Sequence, residues 1–134
     1  MTETWIKVLF ALLVIYQFKH LIADYFLQGK YMLGKFNKVG WALPLLAHVG
    51  VHGGFTFVIA YAFTALGNSY DPLRMALGLA LLDGSVHFAM DKLKVEASRN
   101  LDKNKDAGYW HWLGIDQMVH HFTHYYIIYR LILG

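Results

Sequence analysis

Apolar residues run along this chain in long segments, and polar residues return inside those segments at helical intervals. Candidate helices cover about residues 4–27, 41–66, 72–94 and 110–134, each long enough to cross a bilayer, which takes ~20 residues. The second segment contains no Lys, Arg, Asp or Glu, and the third opens on Pro72, a favoured first residue of a helix. Three connections separate the segments: 29–40, with Lys30, Lys35 and Lys38; 67–71, a short Gly-Asn-Ser turn; and 95–109, with Arg99, Lys103 and Lys105. The pattern predicts an all-α, four-helix transmembrane bundle forming one domain over 1–134. A soluble bundle with a very apolar core is the other reading, and the charge-free second segment argues against it. The first segment exceeds a signal-peptide core and lacks a small-residue cleavage site before His20, so it is read as a retained span.

The polar residues inside these segments fall into four pairs: His20 and Asp24, His48 and His52, His87 and Asp91, Asp116 and His120. Residues i and i+4 share one face of a helix, so each pair can aim two ligands at one point. Counted from the helix ends at the basic loops, all four pairs lie within ~6–17 Å of the same boundary at a rise of ~1.5 Å per residue. Antiparallel helices thus place the pairs at one depth. The order His-x3-Asp, basic loop, His-x3-His is followed by His-x3-Asp, basic loop, Asp-x3-His, which suggests two repeated helical hairpins.

Composition agrees with a membrane protein: 57% of residues are hydrophobic, 16% are charged, and mean hydropathy is +0.35, against about a quarter charged in ordinary soluble domains. The absence of cysteine excludes disulfides, thiolate metal sites and Cys nucleophiles. The net charge of +3 reflects loop lysines and arginines, which read as topology rather than nucleic-acid binding. The two long loops and adjoining helix ends hold eight of the twelve Lys and Arg residues. The positive-inside rule then predicts cytoplasmic loops and both termini outside, in a bacterial inner membrane.

Ionisable groups inside a span are costly and suggest function. The expected metal ligands are His20, Asp24, His48, His52, His87, Asp91, Asp116 and His120, enough nitrogen and oxygen donors for two divalent ions: zinc, iron or manganese. Asp116, Gln117 and Lys94 are the candidate catalytic residues: Asp116, or Asp83, as general base, and Gln117 and Lys94, with Gln28, to orient carboxylates or bind substrate. His124 is a reserve ligand, and His121 lies off the ligand line. Asp83 is read either as a partner orienting His87 or as an outer polar residue, and Lys19 as snorkelling or paired.

The segments His20-Leu-Ile-Ala-Asp24-Tyr-Phe-Leu-Gln28, His48-Val-Gly-Val-His52, His87-Phe-Ala-Met-Asp91-Lys-Leu-Lys94 and Asp116-Gln117-Met-Val-His120 resemble a family of small bacterial and phage integral membrane proteins catalogued only as a domain of unknown function. The resemblance extends over nearly the whole chain. It implies a membrane protein with these residues in common and supplies no activity.

The chemistry itself suggests a metal-dependent hydrolase acting on a lipid-like substrate that enters from the cytoplasmic leaflet, with Lys30, Lys35 and Lys38 attracting anionic headgroups. Di-iron redox chemistry is a variant of the same class. The alternatives are a proton or metal-ion transporter, which at four spans would need to be a homo-oligomer, and a metal-stabilised protein without catalytic activity.

Overall fold

A computed structural model describes residues 3–67 and 71–134, so Asn68, Ser69 and Tyr70 of the expected turn lie outside the described residues. The chain is an all-α bundle of four long helices: α1 (Glu3–Leu21), α2 (Ala42–Leu66), α3 (Pro72–Ser98) and α4 (Ala107–Leu133). Their bounds follow the hydrophobic segments, with α3 running a turn further than expected and α4 starting earlier. At the start of α3, the Asp71 carboxylate accepts from the Arg74 backbone N–H at 3.0 Å, and Pro72 follows it, a combination that fixes this end of the helix.

The bundle is polar inside and apolar outside. Phe10, Phe18, Leu43, Leu81 and Phe122 are all at least 60% exposed, while His48, His52, Asp83, His87 and His124 are fully buried. This inversion suits a lipid surround, where apolar side chains lose nothing by facing outward. Of the helical segments, Glu3–Phe26, Ala42–Leu66 and Pro72–Ser98 are long and apolar enough to cross a membrane. The fourth does not reach that hydropathy because Asp116, Gln117 and four histidines lie along it, yet Ile115, Met118 and Phe122 still face outward.

The closest helix pairing is α2 against α3, across the middle of the chain rather than within either expected hairpin. A Cβ at Gly53 would stand 3.3 Å from the Ala80 carbonyl oxygen, so a bare glycine permits that approach.

Two local departures from regular helix shape the interior. After α1 the chain forms a π-helical turn, Ile22–Phe26, closed by the Leu27 N–H donating to the Ile22 carbonyl at 2.9 Å. Such turns are frequent at functional sites, and this one carries Asp24. The first basic connection is then not an open loop. A 3-10 helix, Met32–Phe36, folds back so tightly onto α2 that a Cβ at Gly34 would meet the Pro44 ring at 2.9 Å. This contact turns Lys35 into the bundle.

The interior has two layers. Toward the end opposite the basic loops, Leu12, Tyr16, Ala60, Ala76, Leu79, Ile127, Ile128 and Leu131 form an apolar core. Toward the basic loops, histidines and carboxylates fill the centre.

Candidate metal centre

Each helix delivers a histidine to one level. The His87 ring stacks on His120 at 3.9 Å between centroids and lies 3.8 Å from His52, while His20 lies 5.9 Å from His52 and 5.8 Å from His120. Antiparallel helices thus converge at one depth, as the spacing from the helix ends predicts.

Carboxylates thread between the rings. Asp24 Oδ1 lies 3.0 Å from His52 Nε2 and 3.3 Å from His48 Nε2, and Asp24 Oδ2 lies 3.1 Å from His20 Nε2. His48 Nε2 is also 3.1 Å from Asp91 Oδ2. His120 Nε2 stands 4.0 Å from Asp91 Oδ1 and 3.8 Å from Asp116 Oδ1. Two donors bound to one tetrahedral ion at ~2.0–2.1 Å sit about 3.3–3.4 Å apart, so these separations are close to those of a shared metal. The groups His20–His87–His124, His20–Asp24–His120, Asp24–His48–His52 and Asp91–Asp116–His120 each bring three donor atoms within 4.8 Å of one another. All eight residues expected as ligands take part, and His124 joins them.

Several donor atoms have no hydrogen-bond partner although they are buried. They include His20 Nδ1, both ring nitrogens of His48 and of His120, His87 Nε2 and Asp116 Oδ1. Buried polar atoms are nearly always paired, and a cluster of unpaired ones facing one another fits a cation. His87 shows the usual arrangement behind such a ligand. Its Nδ1 donates to the Asp83 carbonyl at 3.0 Å, leaving the Nε2 lone pair directed inward.

Hydrogen bonding also assigns roles to neighbours. Gln117 Nε2 donates to Asp116 Oδ2 at 3.2 Å, and a carboxylate can only accept, so Gln117 Oε1 must face His20 Nε2 at 2.9 Å and receive its proton. Gln117 therefore bridges His20 and Asp116. Lys94 donates to Asp116 Oδ2 at 2.9 Å. Gln28 makes no hydrogen bond with these residues, and His121 is held at the rim by Gln17, with 3.2 Å between Gln17 Nε2 and His121 Nδ1.

One lysine takes a place that sequence reasoning did not give it, and another takes the paired one of its two expected places. Lys35, expected to face lipid headgroups, is buried and donates to Asp91 Oδ2 at 2.9 Å. Lys19 neither snorkels nor reaches the surface. Its Nζ donates to Asp83 Oδ2 at 2.7 Å and contacts His52 Nδ1 at 3.1 Å and His124 Nε2 at 3.2 Å, with Thr56 Oγ donating to the same Asp83 oxygen at 2.6 Å. Polar residues within an apolar span were the available signal for Lys19 and Asp83, and Lys35 had none.

These pairs set the charge of the interior. Asp83, Asp91 and Asp116 each have an ammonium within 2.9 Å, from Lys19, Lys35 and Lys94, whereas Asp24 has only histidines. With neutral imidazoles, one negative charge is left over, and it belongs to Asp24. The Asp24 side chain is also 16% exposed, so this part of the site opens outward.

A family model described as "Protein of unknown function (DUF3307)" matches residues 8–133. The chain belongs to the DUF3307 family. Neither a curated protein nor a solved structure matches it. Membership identifies the kind of chain and leaves its chemistry to be argued from the site.

Proposed function

We propose that this DUF3307 protein is an integral membrane metalloenzyme, a hydrolase of lipid-like substrates whose ion sits at Asp24. The observation that carries this reading is Asp24 itself: no lysine neutralises it, three imidazoles surround it, and it is partly open. It is shared by two of the four donor groups, with His48 and His52 on one side and with His20 and His120 on the other. A divalent ion there would offset the leftover charge and supply Lewis acidity toward water and a substrate oxygen. Asp91, Asp116 and His120 form a second subsite, which makes the centre dinuclear when filled. Lys35 and Lys94 already neutralise those carboxylates, so the first subsite fills before the second.

The reaction is addition of water across an ester. The water oxygen bonds to the electrophilic atom, the bond to the leaving oxygen breaks, and that oxygen takes up a proton. With only the Asp24 subsite filled, Asp116 Oδ1 is buried and free of hydrogen-bond partners, so in that state it is the base that accepts the proton from water. Gln117 and Lys94 hold its other oxygen in place. All four helices cross the membrane, with the basic loops in the cytoplasm and both termini outside.

Transport by the single chain is less well supported, because the histidines, lysines and carboxylates stop at the apolar layer formed by Leu12, Ala60, Leu79, Ile127 and Leu131. Elemental analysis of protein from native membranes, with turnover of amphiphilic esters, tests the proposal. Asp116→Asn is expected to keep the ion at Asp24, to lose any second ion, and to lose turnover. Absence of metal in both preparations sinks the reading. Ion flux in proteoliposomes that responds to these changes, without ester turnover, would favour transport.

A further inference from the structure

We infer that a cavity beside the centre, at the basic-loop end of the bundle, is a binding site for a phosphate ester anion. The cavity has a volume of about 460 Å³ and lies between the folded-back first connection, the end of α3 and the start of α4. Lys38, Lys94, Arg99 and the Tyr109 phenol line it, together with Leu101 and Leu113, and no carboxylate does. Lys94 and Arg99 are paired with Asp116 and Glu96, so the net charge at the concavity is that of Lys38, while all three present N–H donors to an anion, and the apolar wall suits the first carbons of an attached chain.

The cations are arranged to be used. Arg99 gives three of its five N–H donors to the Glu96 carboxylate and the Phe36 carbonyl, which fixes the guanidinium and leaves the rest free. Lys94 spends one of its three donors on Asp116. Lys38 is exposed and has no ion pair among the described residues. Planar guanidinium beside ammonium groups is the usual equipment for phosphate oxygens.

Lys94 ties the cavity to the metal centre, since it lines the one and holds Asp116 of the other. An anion held by Lys38 and Arg99 therefore lies next to the group proposed as base. The inference deepens the lipid-hydrolase reading and rests on it for the chemistry: the substrate is a phosphate-bearing amphiphile. The binding site itself rests on the chain's own cations and does not need the ion.

Calorimetric titration of the detergent-purified full chain, chelator-treated and metal-loaded, tests it. The probes are dihexanoyl phosphatidate, dihexanoylglycerol and inorganic phosphate. Saturable binding of phosphatidate is expected in both preparations, with none of the uncharged diacylglycerol. Lys38→Gln should weaken it about tenfold, the value of one charge-assisted hydrogen bond. Lys105→Gln, an exposed change in the second basic loop outside the cavity, should leave it unaltered. Phosphatidate binding more tightly than inorganic phosphate assigns the site to a headgroup, and equal binding assigns it to free phosphate; both uphold the anion site. No saturable binding of either, or equal weakening by Lys105→Gln, overturns it. Binding that persists in protein unable to hold metal would leave this inference standing while the hydrolase reading falls.

Discussion

Lys19 Nζ lies 3.1 Å from His52 Nδ1. An ammonium has no lone pair to offer, so His52 Nδ1 must accept, and the ring proton sits on Nε2. That proton points at Asp24 Oδ1, 3.0 Å away. In this arrangement His52 is a hydrogen-bond donor that orients Asp24. To act as a ligand through Nε2 it would have to give up its contact with Lys19. A lysine one residue from His20 in the sequence thus selects the tautomer of a histidine on another helix.

The Lys19–Asp83 pair is buried on both sides, so removing one partner should leave an uncompensated charge. Lys19→Met is expected to destabilise the protein by ~3–5 kcal/mol. Lys19→Met with Asp83→Asn should recover most of that loss, because neither charge remains. Thermal unfolding in detergent measures both. A single variant as stable as the parent would mean that the pair does not hold the bundle.

Ligand and orienting roles separate by the size of the effect on metal affinity. Loss of a hydrogen-bond partner behind a ligand lowers affinity ~10–100-fold, and loss of the ligand carboxylate should exceed that. Asp24→Asn is therefore expected to fall beyond this range, and His52→Gln within it. Competition with a chromogenic chelator gives the two constants. Equal losses would restore His52 to the ligand set.

The spacing of polar residues made the four pairs and their common depth legible, since both follow from helical geometry. His20, His48, His87 and Asp116 could be placed by counting from helix ends. The pairing of α2 with α3 was hidden, because it depends on how closely Gly53 lets the backbones approach. Lys35 was hidden for a similar reason. It lies in a connection, outside any periodic pattern, and only the contact of Gly34 with Pro44 brings it to Asp91. Lys19 and Asp83 were visible as polar residues in apolar spans, but their pairing joins residues 64 positions apart.

Loop charge makes a topological prediction that the native chain can report, because it contains no cysteine. Lys103→Cys, in the second basic loop, should be protected from an impermeant thiol reagent in intact cells. Gly67→Cys, at the end of α2, should be labelled. The opposite result would invert the bundle and place the anion cavity on the outer side.

Charge balance gives the sharpest expectation for stoichiometry. One carboxylate without a lysine calls for about one tightly held divalent ion per chain, with a second bound more weakly at Asp91 and Asp116. Lys35→Gln removes the ammonium from Asp91 while keeping a hydrogen-bonding side chain in the same space. Asp91 then becomes a second unneutralised carboxylate, next to His48 and His120. The variant should be less stable than the parent without metal, because the unneutralised Asp91 charge is buried. Added metal should raise its melting temperature more than the parent's, and its metal content should rise toward about two ions per chain. Lys38→Gln, an exposed change in the same connection, should alter neither quantity. Elemental analysis under limiting and saturating zinc or manganese decides the matter. A parent protein that already holds two ions tightly, or a Lys35→Gln variant that gains none, would show that the lysines do not set the order of filling.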